Sequence, residues 1–464
     1  MQANLLTGLI LLTLLLLPSA FSSAEIVVDE ETCTLIDAIL AANTDSPSGG
    51  CPAGDGADTI VLTVDVTLRE PYTTSFGGMG VPVPVNDELT IRGNFHTIRR
   101  ADGAPQFRFM GAGSDEVRLE DLTLTNFSTA WDGGALFTPS SLILTRVTLA
   151  GNSAMNGGAI HSAGLVRLYS CIVTDNHAGL NGGGLSGENI ELTGSTVSLN
   201  TAGNDGGGIF SQFSAVAAIN STVSGNSAGN DGGGIAAELS GRLRNSTVAN
   251  NSAGGTGGGI RGGLLVEDSI LAGNGAAGNC AFPLIPGSSD LGNNLSDDGT
   301  CGTGVGALTG LDLDLADNGG MTPTHALLPD SSAVDAAGTC YLETDQRGAP
   351  RNDGTCDSGA YEFQCFIEVS FGPIGTSIAY TPTTSAFDLV SGSISQLRAD
   401  GDFSNASCVG SSFAGLALDP NPGPAPGEGR YYIGRGLDRC VGADYGDSSL
   451  DPDPRDALAS APCP

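Results

Sequence analysis

AGNDGGGI stands at 202–209 and again at 228–235, 26 residues apart. Three successive glycines cost roughly 2–3 kcal/mol relative to Ala in a helix and leave a strand without side chains to pack. The octet is one part of a longer unit. Its Gly pair recurs after Asp132, Asn156, Asn181, Asp205, Asp231 and Thr256, at spacings of 24, 25, 24, 26 and 25. An Asn keeps the same phase at Asn126, Asn152, Asn176, Asn200, Asn226, Asn251 and Asn274. Three residues before most of these come Leu149, Val173, Val197, Val223, Val248 and Leu271. Eight residues before come Leu144, Leu168, Leu192, Ala218, Leu243 and Val266, and Leu136, Ile160, Leu185, Ile209, Ile235 and Ile260 follow the glycines. Several columns in register at one period mark a solenoid.

Two solenoids have this period. The fragment Leu144-x-x-Val147-x-Leu149-x-x-Asn152 fits a leucine-rich repeat, but the second half of each unit would then need a helix where NSAGNDGGGI stands. Short β-branched runs joined by Gly and Asn turns fit a right-handed parallel β-helix. Coils stacked about 4.8 Å apart give eight or nine turns between residues 86 and 300, a rod of roughly 40 Å. The apolar columns should fill its interior, the Asn column should form an amide ladder, and the glycines should make a corner where φ is positive. Cys171 falls in a column of Ser195, Ser221, Ser246 and Ser269, as a small buried filler.

The totals agree with an all-β stack. Gly is 70 of 464 residues, about twice the usual share, and aromatics are 5%, so small and β-branched residues must supply most of the core. The net charge is −33, and every one of the 18 basic residues is Arg. Such a surface repels nucleic acid and anionic membranes, and the absence of Lys excludes Lys-dependent chemistry. Leu5–Leu17 is a 13-residue apolar run with small residues Ser22 and Ala24 before Glu25, which reads as a signal peptide over 1–24 and an exported chain without a transmembrane segment. Disulfides suit that compartment. Local pairs are expected at Cys33/Cys51, Cys280/Cys301 and Cys340/Cys356, and Cys365, Cys408, Cys440 and Cys463 form a C-terminal set with three connectivities open.

The flanks add resemblances. CTLIDAILAANTDSPSGGCPAGDGADTIVL at 33–62 resembles the CSLREA domain of bacterial exported β-helix proteins, through Cys33, Leu35, Ala38, Ile39, Asn43, Cys51, Pro52, Gly54, Ala57, Asp58 and Ile60. Residues 317–362 resemble the choice-of-anchor Q domain of bacterial surface proteins, through Asp317, Gly319, Gly320, Pro323, His325, Asp345, Arg347, Gly348, Arg351, Cys356, Asp357 and Glu362 among others. The repeats are similar to those of polymorphic outer-membrane proteins, whose GGA[IL] element appears as GGAL at 133–136 and GGAI at 157–160. These resemblances imply an N-terminal cap over 25–85, β-helix repeats over 86–300, a C-terminal cap over 301–363 and a location outside the cell or at the bacterial outer membrane. Residues 364–464 hold four Cys and the strand-like YYIGRG at 431–436, a small disulfide-stapled β module.

Chemistry is sparse. If the corners stack, Asp205 and Asp231 lie one strand spacing apart, near the 5–5.5 Å that retaining glycosidases use between carboxylates. The same pair could draw Ca²⁺. Against this, Asn156 and Asn181 share the column, and both Asn and Asp tolerate left-handed turns. GNDGGG is not the calcium nonapeptide array, which needs a nine-residue period. His96, His161 and His177 fall in no metal-ligand pattern, and Arg146, Arg167, Arg242, Arg244 and Arg261 form no evident cluster with the acids. Arg347 and Arg351 are expected to pair with Asp345, Asp357 or Glu362, and His325 to pack. The sequence therefore reads as a non-catalytic, exported or cell-surface β-helix with a structural or adhesive role, no cofactor, and a cell-surface or polysaccharide ligand. A polysaccharide lyase or hydrolase using Asp205 and Asp231 is the alternative, and a calcium-stabilised scaffold is the third reading.

Overall fold

The computed structural model describes residues 25–364 apart from 86–87, 112, 114–115, 213–214, 283–288, 303, 339 and 352–354; from 366 onward only the backbone of strands is described. Residues 1–24, expected as a signal peptide, and the side chains of the four C-terminal cysteines lie outside the described residues.

The chain forms a parallel β-helix. Leu144 pairs with Leu168, Leu168 with Leu192, Leu192 with Ala218, Ala218 with Leu243 and Leu243 with Val266, all in parallel register. A second column runs Leu149, Val173, Val197, Val223, Val248, Leu271. A third runs Leu136, Ile160, Leu185, Ile209, Ile235, Ile260. Every residue of the three columns is buried. Small aliphatics suit this stack because each coil leaves only one strand spacing along the axis for its side chains. The coil at 107–127 is the exception to a core poor in aromatics: Phe107, Phe109 and Phe127 are fully buried, with Phe109 and Phe127 5.6 Å apart.

The helix begins earlier than the repeats suggest. Glu25–Val28 pairs parallel with Asp58–Leu62, which pairs with Leu89–Arg100, so Ile26, Ile60 and Ile91 extend the first column. Two added rungs lengthen the rod by roughly 10 Å. Helix α1, Leu35–Thr44, is inserted between the first two rungs and sets Leu35, Ala38, Ile39 and Ala41 into the core. Thr34 Oγ1 caps it by accepting the Asp37 amide, and the Cys33–Cys51 disulfide ties its base. Helix α1 thus packs against the first two rungs. At the other end Cys280–Cys301 joins the last coils, with both sulfurs in the core.

Of the segment 301–363, expected as a cap on the C-terminal end, residues 308–363 contact the flank of the coils instead. Thr196 Oγ1 donates to the Pro323 carbonyl, Asn220 Nδ2 to the Thr344 carbonyl, Asn250 Nδ2 to the Leu313 carbonyl, and the Ala360 amide donates to Thr247 Oγ1. The effect is visible in burial. Thr148–Ala150 and Ile172–Thr174 are partly exposed on their outer face, whereas Thr196–Ser198, Thr222–Ser224, Thr247–Ala249 and Ile270–Ala272 are buried on both faces. This strap is tied by Cys340–Cys356 and, as expected, by its charges. Arg351 and Glu362 form a buried pair at 2.7 Å, and Arg347 pairs with Asp345 at the same distance. Beyond it, Phe366–Gly372, Gly375–Thr381 and Leu416–Leu418 form one antiparallel sheet, and Ala386–Ser393, Ser407–Ala414 and Arg430–Gly436 another.

Candidate functional site

Three ladders hold the coils in register, and two of them account for side chains that the sequence alone presents as chemical candidates. In the interior ladder each Asn lends its Oδ1 to the amide and Nδ2 of the Asn one coil earlier. Asn176 accepts from Asn152, Asn200 from Asn176, Asn226 from Asn200, Asn251 from Asn226 and Asn274 from Asn251, at 2.9–3.0 Å. Asn126 does not belong to it. Phe127 occupies that position and gives its amide to Asn152 Oδ1, while Asn126 lies one place earlier in a left-handed turn at φ 64°. A hydroxyl ladder runs beside it, in which Cys171 Sγ takes the place of a serine Oγ and accepts the Val147 amide at 3.5 Å.

Asp205 and Asp231 are in the outer ladder, at the Gly corner. Here each side-chain oxygen accepts the backbone amide one coil later: Asp132 from Asn156, Asn156 from Asn181, Asn181 from Asp205, Asp205 from Asp231 and Asp231 from Thr256. Asp205 Oδ1 takes a second bond from Asn230 Nδ2, and Asp231 Oδ2 faces Arg261 Nε at 3.3 Å. The structure brings the two acids onto neighbouring coils but gives each a turn to hold. It also corrects the expectation that no Arg joins them, since Arg261 does. Among the described residues no group of three or more His, Cys, Asp or Glu side chains is gathered around one point.

A groove lies beside this ladder. Residues one place after the third apolar column point outward, and Phe137, His161, Ser186, Phe210, Ala236 and Arg261 follow one another in register. Three hollows share this floor. One of about 410 Å³ is bounded by Met79, Val83, Arg108, Gly111, Trp131, Asp132 and Phe137. The next, about 150 Å³, lies among His161, Ser186, Glu188, Phe210 and Gln212. The third, about 290 Å³, is lined by Glu238, Arg261, Gly262 and Phe282. Phe137 and His161 stack at 5.8 Å with their rings 11° from parallel, and the Arg108 guanidinium lies 5.2 Å over Phe137. Burial holds His161 below its ordinary value, so its ring is neutral at pH 7. Arg108 is only 3% exposed, and burial lowers its pKa while Asp132 opposes that. A guanidinium stays charged under such a shift.

The repeated columns of the sequence do not mark this face. The groove column varies from coil to coil, and its signal was an aromatic or charged residue directly after the Leu or Ile that follows the glycines. Trp131, the one Trp of the chain, sits immediately before the corner residue Asp132.

Among proteins of known structure, pectate lyase Pel9A is similar to this chain over 69% of its length and 94% of the lyase, at 15% identity and a TM-score of 0.40. Likeness at that level says nothing about which residues act. Neither a family model nor a curated protein matches the chain.

Proposed function

We propose that this is a non-catalytic, exported β-helix that holds an extended carbohydrate chain in the groove beside its corner ladder. The observation that carries the reading is the alignment of three hollows on one floor of Phe137, His161, Ser186, Phe210 and Arg261. At about 4.8 Å per rung the floor from Phe137 to Arg261 is about 24 Å long, a linear site suited to a polymer. Aromatic faces with a few polar groups are the usual lining of a sugar-sized site. Three disulfides support an oxidising compartment. The non-catalytic part rests on Asp205 and Asp231, whose oxygens hold turn amides and Arg261.

Affinity electrophoresis through gels containing neutral and acidic polysaccharides tests the binding. Retarded migration with at least one of them, reduced by Phe210→Ala, is expected. Unaltered migration with every polysaccharide would overturn the reading. The same polymers incubated with the protein should release no new reducing or unsaturated ends. Turnover that disappears in Asp205→Asn or Asp231→Asn would establish the enzymatic alternative instead.

A further inference from the structure

Within that carbohydrate reading, on which this inference rests, we propose that the hollow between Trp131 and Arg108 is a subsite for one uncharged pyranose ring. Trp131 supplies the platform. Its side chain is 60% exposed, an unusual state for the largest apolar residue. It is nonetheless packed on one side. Its backbone amide donates to Thr129 Oγ1 at 3.2 Å, and Gly77, at φ 85°, lies so close that a Cβ there would come within 2.4 Å of the indole. An exposed aromatic plane matches the apolar face of a pyranose.

The same lining offers a donor residue and an acceptor residue. Among the described residues the Arg108 guanidinium makes a single hydrogen bond, from Nη2 to the Asp132 carbonyl at 2.8 Å, and it lies 5.2 Å over the Phe137 ring. Nε of that guanidinium is buried without a hydrogen-bond partner, and the other terminal nitrogen makes no bond among the described residues. Asp132 uses Oδ1 for the Asn156 amide and Nδ2, and Oδ2 makes no hydrogen bond among the described residues. A sugar hydroxyl accepts and donates at once, so adjacent hydroxyls can take a bond from Arg108 and give one to Asp132. The cavity, about 410 Å³, is within the 300–1,000 Å³ typical of small-molecule sites.

Charge selects the class of sugar. Arg108 and Asp132 cancel, and His161 is neutral. A uronic acid would bring an unbalanced carboxylate beside Asp132 on a chain of net charge −33, and an amino sugar would bring a cation beside Arg108. A neutral ring meets neither obstacle.

Trp131 is the chain's one Trp, so its emission reports on this hollow directly. Neutral cello-, manno-, xylo- and galacto-oligosaccharides are titrated beside oligogalacturonate and oligomannuronate, following emission and, in parallel, heat. A saturable emission change with at least one neutral oligomer and none with either uronate is the expected result. Asp132→Asn and Arg108→Met should each weaken binding at least ten-fold. Because Arg108 is buried and its variant can misfold, Trp131→Ala, at an exposed position, is measured by calorimetry and should weaken binding to the same extent with an unchanged melting temperature. Uronate binding as tight as neutral binding, or neutral binding that leaves emission and the Trp131→Ala affinity unchanged, would overturn this subsite while leaving the groove reading intact. Absence of binding to any oligomer, together with no retardation by polymers, would overturn both.

Discussion

Two columns of amide-like side chains run along this rod, and only one of them tolerates Asp. The reason is the number of bonds each must make. In the interior ladder Asn200 accepts two bonds from Asn176 and donates through Nδ2 to Asn226 and to the Val173 and Ser198 carbonyls. An Asp there loses every donor and buries a charge. In the corner ladder the position supplies an oxygen to the next amide, a task Asp205 and Asn181 perform alike. Asn200→Asp should therefore lower stability by at least about 3 kcal/mol, read as a fall in denaturation midpoint, whereas Asp205→Asn should stay within about 1 kcal/mol. Equal effects would show that the two columns are not built differently. Cys171 gives a second check. Burial pushes its thiol up to about 12, and it occupies a serine position in the hydroxyl ladder. It should resist thiol reagents at pH 8 until the chain unfolds, and Cys171→Ser should leave the melting temperature within a few degrees of the parent.

At the scale of elements, the strap is the feature on which neighbouring coils come to differ. It covers the outer face of the second column from Thr196 to Ala272, and buried polar side chains of the strap bond to the coils beneath. Gln346 Nε2 donates to Thr196 Oγ1 and Thr322 Oγ1, and its Oε1 accepts from Thr222. His325 bridges Ser224 Oγ, at 2.8 Å, and the Asp312 carbonyl. Burial holds its pKa below the ordinary 6.5, although the Asp312 carbonyl opposes the shift. A buried neutral His contributes stability that is complete above 6.5. As pH falls below 6.5 the unfolded chain takes up a proton that the folded chain refuses, so stability is lost until the folded pKa is reached. Protection factors across residues 308–363, in which the intrinsic pH dependence of amide exchange is divided out, should fall between pH 7 and pH 5, and His325→Gln should flatten that fall. Protection factors in the parent that are independent of pH would place the lability elsewhere.

For the whole molecule, stability depends on closing the two ends and on repetition between them. The Cys280–Cys301 loop spans 21 residues, for which the chain-entropy account gives roughly 3 kcal/mol. Cys280→Ala with Cys301→Ala should loosen the last coils selectively, seen as faster exchange at Ile270–Ala272 with Leu144–Thr145 unaffected. A uniform change along the rod would mean that the coils unfold as one unit. The corner acids are spread along the axis and occupied by amides, so chelation should leave the melting temperature unchanged. A fall of several degrees in chelator would support the calcium-stabilised scaffold.

The period of about 25, the three apolar columns and the interior Asn were legible in the sequence, because each is imposed by an identical environment repeated at every coil. The αL corners and the local disulfides were legible for a related reason: their partners are near in sequence or one period away. The first two rungs were not, since α1 and the loops around it stretch the intervals from Ile26 to Ile60 and Ile91 and erase the period. Asn126 misled because a single-residue offset between neighbouring coils is invisible without the pairing of Leu124 with Leu149. The strap's position on the flank and the groove beside the corner arise from contacts more than a hundred residues apart, such as Thr222 with Gln346, or from side chains that vary between coils. Repetition writes itself into a sequence. A surface assembled from the differences between repeats becomes visible only when the coils are stacked.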